Sequence, residues 1–153
     1  MTKQLVIKLF DYKDGWLYWK NPKSDKMKSG DKAGCVTNYT RISFKGKKYL
    51  AHRLVFLWHY GYLPITVNHI NGDKNDNRIE NLREATYSQN LMNKGKHKGS
   101  RPYKGVRKQN QKWSATLTRV YLGSFETAAE AALAYNAAAM KKYGKFAKLN
   151  EVP

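Results

Sequence analysis

Along the first sixty residues the apolar positions change their period. Residues 7–20, IKLFDYKDGWLYWK, set aromatic and aliphatic side chains on either side of Asp14-Gly15. Asp-Gly between β-prone apolar runs is a two-residue turn signal, so a hairpin is predicted. Residues 21–32 are polar, contain Pro22 and Gly30, and read as a loop. Residues 39–50 alternate Ile42 and Phe44 with polar neighbours around Gly46, which predicts a second hairpin. From His52 to Tyr60 the spacing becomes helical: Leu54, Val55, Leu57 and Trp58 form one stripe, and Gly61 is a natural stop.

The centre of the chain reads as strand, long loop, strand, helix. Thr66 to Ile70 and Leu82 to Ala85 are short strand candidates, separated by a polar loop. Thr86-x-x-Gln89 matches a capping box and predicts a helix from Tyr87. Residues 94–102, KGKHKGSRP, carry no aliphatic or aromatic side chain. They read as a flexible linker between two domains, residues 1–97 and 98–153. Three strand-like runs follow, 103–108, 113–119 and 120–125. Thr127-x-x-Glu130 is a second capping box, opening an alanine-rich helix from Ala128 to about Tyr143 that Gly144 closes. The predicted class is α+β.

Charge narrows the partners. Lys and Arg number 29 against 11 Asp and Glu, a formal charge of +18. Residues 1–60 carry 13 basic and 4 acidic groups, residues 61–100 carry 6 and 4, and residues 101–153 carry 10 and 3. Two basic flanks thus bracket a nearly neutral centre, and such an excess invites a polyanion. The lysines fall in strand-like and loop-like segments, interleaved with Tyr12, Trp16, Tyr18, Trp19, Tyr39 and Tyr49. A membrane-surface protein would instead show a basic amphipathic helix, so nucleic acid is the expected partner and no membrane role is expected. No apolar run approaches the roughly 20 residues of a membrane span. The N-terminus lacks the long apolar core of a signal peptide, so a cytoplasmic setting is expected. Cys35 is the single cysteine, which leaves no internal disulfide and no cysteine-based zinc site. It is expected to be a small buried or half-buried residue.

The neutral centre holds six asparagines and His69 between Val67 and Asn90. A strand–loop–strand–helix unit folds back on itself, so Asn68 and His69 on the first strand can approach Asn90 in the first turn of the helix. Amide oxygens and a histidine suit a hard divalent cation and its water. Asparagines in the loop can order it by bonding to backbone groups. His52, at the start of its helix, can cap, pack or reach a phosphate. His59 and His97 are expected to face solvent or DNA.

Three segments, Asn68-His69-Ile70-Asn71-Gly72-Asp73, Asn77-Arg78-x-x-Asn81-Leu82 and Ser88-x-Asn90, resemble the HNH nuclease family. The likeness is to the phage-type HNH endonucleases, and it extends upstream through Lys48 to Leu54. It implies a ββα-metal core over about 66–94. It implies His69 as general base, Asn81 as the clamp that holds the loop and orients His69, and Asn68 with Asn90 as ligands of one Mg²⁺ (or Mn²⁺). His52 is a candidate for a catalytic or phosphate-contacting role. Many members carry Asp before the histidine; Asn68 in its place implies weaker Mg²⁺ binding, which Asn68→Asp is expected to reverse.

Residues 103–150 resemble the AP2 DNA-binding domain through Tyr103-Lys104-Gly105-Val106-Arg107, Lys112-Trp113-x-Ala115, Tyr121-Leu122-Gly123-Ser124-Phe125, Thr127-Ala128-x-Glu130-Ala131-Ala132-x-Ala134-Tyr135 and Leu149-Asn150. That resemblance implies a three-stranded antiparallel sheet, packed on one helix and laid in the major groove. Lys104, Arg107, Thr116, Thr118, Arg119 and Tyr121 are then the DNA-facing positions, with Arg107 the candidate reader of guanine. Trp113 is expected in the core. Together the two resemblances imply a homing-type, metal-dependent endonuclease that nicks or cuts double-stranded DNA without a small-molecule cofactor; the sequence leaves the oligomeric state open, with a monomer favoured. The alternative is a DNA-binding regulator built on an idle HNH scaffold.

Overall fold

The computed structural model describes residues 1–22, 26–95 and 101–153. The chain divides into two compact units, Met1–Tyr87 and Ser88–Pro153. Most of the expected linker, together with His97, lies outside the described residues.

The first unit opens with a helix where the sequence reads as strand. In α1 (Lys3–Leu9) the Thr2 hydroxyl accepts from the Leu5 N–H at 3.3 Å, and Val6 and Leu9 are buried. A capped start and an i, i+3 apolar pair outweigh the β-prone look of Ile7–Phe10, and the strand begins only at Phe10. β1 (Phe10–Lys13) and β2 (Trp16–Trp19) pair antiparallel across Asp14-Gly15, both at positive φ. β3 (Arg41–Phe44) and β4 (Lys47–Leu50) pair across Lys45-Gly46 in the same way. α2 (Ala51–Tyr60) ends where predicted, at Gly61, whose N–H returns to the Leu57 carbonyl at 3.0 Å.

β5 (Thr66–His69) pairs antiparallel with β6 (Leu82–Ala85), with Asn68 opposite Arg83 and His69 opposite Leu82. A 3₁₀ turn, Ile79–Asn81, leads into β6. Two-stranded ribbons of four residues are marginal alone. What holds them is one cluster in which Val6, Phe10, Leu17, Ile42, Leu54, Val55, Val67 and Leu82 are buried. Each fully buried side chain of this kind stabilises by roughly 1.5–3 kcal/mol. Cys35 is exposed rather than buried: it pairs by its backbone with Arg41 in an isolated bridge at the edge of this cluster.

The second unit begins with α3 (Tyr87–Met92), whose first residue belongs to the first unit. β7 (Val106–Gln109), β8 (Lys112–Leu117) and β9 (Val120–Phe125) form a three-stranded antiparallel sheet with a register shift between Ala115 and Thr116. β8 stops earlier than its sequence suggests, because Thr118 and Arg119 both take positive φ and make the turn to β9. α4 (Ala128–Tyr143) starts with both halves of the Thr127/Glu130 capping box in place. Its buried Ala131, Ala132, Tyr135 and Ala139 meet Val106, Ala115 and Leu117 of the sheet. Trp113 packs half-buried against that cluster. Among the described residues no helix is long and apolar enough to cross a membrane.

The closest approach in the second unit is at Gly105, at φ +75°, where a Cβ would overlap the Tyr135 ring and stand 2.7 Å from the Thr116 carbonyl oxygen. Gly46 has a similar φ of +71° and open space around it. Gly105→Ala is therefore expected to cost about 3 kcal/mol or more, and Gly46→Ala only about 1 kcal/mol for its backbone conformation. Denaturant unfolding of the two variants measures the gap; equal losses would show that the Gly105 contact is not tight.

Candidate active site and nucleic-acid interface

The loop between β5 and β6 is built from asparagine and aspartate bonds. Asn81 accepts from the Asn71 N–H at 3.0 Å and donates through Nδ2 to Asn71 Oδ1 at 3.0 Å and to the Asp76 carbonyl at 2.8 Å. The Ile70 N–H bonds to the Asn81 carbonyl at 2.9 Å. Asn71 and Asp73 each accept from the N–H two residues on, closing consecutive Asx turns. Arg78 grips Asp76 through Nε and Nη2, both at 2.8 Å, and holds its carboxyl at about 2, below the usual range. Asn75 takes the Thr40 hydroxyl at 2.9 Å, which fastens the loop to the segment before β3. A loop with so little apolar content is ordered largely by such bonds, with Ile79 packing on the core at its end.

His69, at the end of β5, is 6% exposed, and its Nε2 lies 3.0 Å from Asn77 Oδ1. An amide oxygen can only accept, so this pair puts the proton on Nε2 and the lone pair on Nδ1. Burial pushes the His69 pKa down; the Asn77 bond and Asp73 and Asp76 oppose that shift. The imidazole is thus neutral near pH 7, the form a base requires. Asn77 is itself buried, and its Nδ2 has no hydrogen-bond partner among the described residues.

A second histidine stands beside the first. His52, in the first turn of α2, is 5% exposed, and its ring meets the His69 ring edge-on at 4.9 Å. Tyr39 packs on both, 5.4 Å from His52 and 6.3 Å from His69. Burial first, then the neighbouring His69 and Arg53, lower the His52 pKa to about 3. In this arrangement the His52 ring packs against the His69 ring. His59, expected to face outward, stands half-buried with its ring edge-on to Tyr12 at 4.6 Å.

Asn68 is 3% exposed and accepts from Arg83 Nε at 2.8 Å. The register explains the contact, because Asn68 and Arg83 are direct cross-strand partners. The oxygen expected to meet a divalent ion therefore already meets a cation. Asn90 lies half-buried on α3. Among the described residues no three His, Cys, Asp or Glu side chains converge as a cation site. A neutral amide bonded to a guanidinium does not suit a dication in this arrangement. The expected benefit of Asn68→Asp shrinks accordingly, since Arg83 would neutralise the added charge.

In the second unit one face of the sheet is core and the other is open. Val106, Ala115 and Gly123 pair across the three strands on the helix side. Arg107, Ser114 and Ser124 form the adjacent row, and Thr116 pairs with Tyr121. Arg107, Thr116 and Tyr121 are exposed, Tyr121 by 63%. Arg119 is exposed on the β8–β9 turn. Thr118, in the same turn, is tied to the end of α4, its hydroxyl 3.2 Å from Lys142 Nζ and 3.4 Å from the Tyr143 hydroxyl.

Lys104 is differently employed from its expected place at DNA. Its Nζ donates to the Met92 and Lys94 carbonyls at 2.7 and 2.6 Å, and its N–H to Asn150 Oδ1 at 2.7 Å. An ammonium at the last carbonyls of a helix is favourable, and here it ties α3 and the C-terminal tail to the sheet. Burial lowers its pKa. Asn77, Tyr39 and Arg83 are the site neighbours without a role in the sequence reading. Arg83 follows from pairing His69 with Leu82; nothing near Tyr39 in the sequence points to His69.

Residues 49–92 match the family model described as HNH endonuclease. The C-terminal region is similar to Dehydration-responsive element-binding protein 2D of Arabidopsis thaliana, 46% identical over 63 residues. That stretch is 37% of this chain and 31% of the plant protein. Dehydration-responsive element-binding protein 2E of Oryza sativa subsp. japonica is 51% identical over 55 residues, 31% of this chain and 17% of its own. The chain thus spans at most about a third of the length of the curated relatives it matches. No solved structure matches. The two likenesses agree with an HNH unit followed by an AP2-type unit.

The two histidines make stability fall in acid. Unfolded, each titrates near 6.5; folded, each lies lower, His52 at about 3. Below pH 6.5 the unfolded chain binds more protons, so stability is lost as the pH drops through that window, by up to about 1.4 kcal/mol per pH unit for each histidine. Urea midpoints from pH 7 to pH 4 should show this slope, and His52→Gln should flatten it. An unaltered slope would mean that His52 is not held neutral.

Proposed function

We propose that the chain is a DNA endonuclease in which His69 is the general base. The observation that carries this reading is the buried, neutral His69 held through Nε2 by Asn77 within the segment that matches the HNH endonucleases. Nδ1 accepts a proton from a water, the water oxygen attacks phosphorus, and the bond to the 3′ oxygen breaks. Asn81 keeps the loop, and with it Asn77, in place. Tyr39 and His52 hold the ring plane. HNH nucleases generally use divalent ions. The resemblance puts Asn68 and Asn90 at Mg²⁺ or Mn²⁺, and the Asn68 oxygen, taken by Arg83, does not fit that ion here. As Asn68 stands, bonded to Arg83, the steps assigned here are those of His69 and its supports.

Site selection belongs, in this reading, to the open face of the second sheet, where Arg107, Thr116 and Tyr121 stand in adjacent rows and Arg119 stands at the turn. Alternate residues of a sheet can reach base edges, as in β-ribbon readers. Residues 1–97 then cut and residues 98–153 choose where, although α3 also anchors the second unit through Met92 and Lys94. One HNH site acting as a monomer favours nicking, in the cytoplasm of a host cell. The Arg83–Asn68 bond favours a second reading, a DNA-binding regulator with an idle HNH unit. Supercoiled plasmid with Mg²⁺, Mn²⁺ or EDTA separates them: metal-dependent nicking supports the nuclease, and binding without nicking supports the regulator.

His69→Ala is expected to reduce nicking by at least the roughly 10²–10⁴-fold that a general base supplies, with DNA affinity within a few-fold of the parent. Equal nicking would remove His69 from the mechanism. Arg107→Ala should weaken binding to the preferred site by about 1–3 kcal/mol and leave random-sequence binding nearly unchanged, in a salt-controlled titration.

A further inference from the structure

The two hairpins of the first unit turn alike and are placed differently. Asp14-Gly15 and Lys45-Gly46 each set two residues at positive φ. Gly46 is exposed, with open space around it, whereas Gly15 is buried. A Cβ on Gly15 would stand 2.8 Å from the Arg78 nitrogen and 3.1 Å from the Asn77 carbonyl carbon. That is well inside the roughly 3.5–4.0 Å at which such atoms rest, so only glycine lets this turn seat against the loop. Tyr12, on the same hairpin, accepts the Ile79 N–H at 3.0 Å through its hydroxyl. The end of α2 sets the Tyr12 ring, which lies 5.8 Å from Trp58 and 4.6 Å from His59. Asn77, Arg78 and Ile79 are thus backed by a hairpin that lies outside the stretch 49–92 matching the HNH endonucleases.

What this hairpin backs is the residue that holds His69. Asn77 Oδ1 takes the His69 Nε2–H at 3.0 Å, and Asn77 Nδ2 has no hydrogen-bond partner among the described residues. The place of the amide is therefore set through its backbone, by the Asn77 N–H on the Asn75 carbonyl at 3.1 Å and by the contacts at Gly15 and Tyr12. An N–H···O bond holds over only about 2.7–3.2 Å, so a small retreat of the backbone at Asn77 releases the ring. We propose that the β1–β2 hairpin is the back wall of the active site: Gly15 and Tyr12 fix the backbone from Asn77 to Ile79 and, through Asn77, hold the His69 imidazole in place to take up a proton. Both are positioning residues and touch neither water nor phosphate in the reaction. The inference rests on the reading of His69 as general base, but its first measurement does not need cleavage.

The test compares the full chain with Gly15→Ala, Gly46→Ala and Tyr12→Phe. Gly46→Ala strains the exposed turn as Gly15→Ala strains the buried one, so it is the matched control. Tyr12→Phe keeps the ring contacts and removes the acceptor of the Ile79 N–H. By nuclear magnetic resonance at pH 7, exchange of the His69 Nε2 proton with water should quicken about tenfold in Gly15→Ala and Tyr12→Phe and stay as in the parent in Gly46→Ala. Nicking of supercoiled plasmid at saturating protein should fall by about 10- to 10²-fold in the first two, with duplex affinity within about twofold of the parent, because lost positioning acts on the chemical step. A merely structural role would make Gly15→Ala and Gly46→Ala alike in both measurements. That result, or Tyr12→Phe leaving the His69 proton unchanged, would overturn the proposal. Where Gly15→Ala fails to fold, Tyr12→Phe decides alone. A parent that nicks, with variants that exchange and nick as it does, loses the wall and keeps the nuclease reading. A parent that never nicks, with the His69 proton freed in Tyr12→Phe, keeps the wall as the support of the imidazole and loses the catalytic reading.

Discussion

Asn81 is the residue on which the first unit's site depends. Its amide bonds to the start and the middle of the β5–β6 loop, at Asn71 and at Asp76, while its own carbonyl takes the Ile70 N–H. The loop therefore closes onto the strand that carries His69. Asn77, which fixes the His69 tautomer, sits inside that closed loop. A buried polar network of this kind is costly if half satisfied and stiff if satisfied, because in a low-dielectric setting each missing bond exposes a full desolvation penalty. Uncharged asparagine suits it better than lysine or glutamate would: it offers a donor and an acceptor on a short side chain without burying charge. The neutral centre of a strongly basic chain is thus a requirement of the site.

Much of this was legible because it is written in local chemistry. Asp14-Gly15, Lys45-Gly46, Gly61 and Thr127 with Glu130 each act within a few residues, and all four do what their spacing predicts. The misreadings have the same cause in reverse. α1 hides because Ile7–Phe10 looks β-prone, while the Thr2 cap and the Val6–Leu9 spacing that decide the matter lie just upstream. Thr118-Arg119 makes a turn without glycine or asparagine, so β8 seems longer than it is. In the site, motif spacing reaches His69 and Asn81, and strand register reaches Arg83. Tyr39 and Lys104 could not be reached that way. Tyr39 meets His69 only through tertiary packing, and Lys104 is called away from the sheet face by carbonyls of α3.

The two units solve opposite electrostatic problems. In the first, histidines are kept neutral by burial against one another and against Tyr39, at the expense of acid tolerance. In the second, Lys104 apart, charge stays on the rim or the open face, and the core is alanine, valine, leucine and a tyrosine.

That division in the second sheet has an evolutionary consequence. The row that meets α4 fixes the fold, with Gly105 pressed against Tyr135 and little slack for change. Arg107, Thr116 and Tyr121 contribute no side chain to either apolar cluster. Substitutions at those three positions, the proposed base readers, draw little on stability, since exposed strand positions tolerate exchange within about half a kcal/mol. On the proposed reading, a lineage carrying this sheet can drift from one target sequence to another by single steps, each step a folded protein, while the first unit stays as it was.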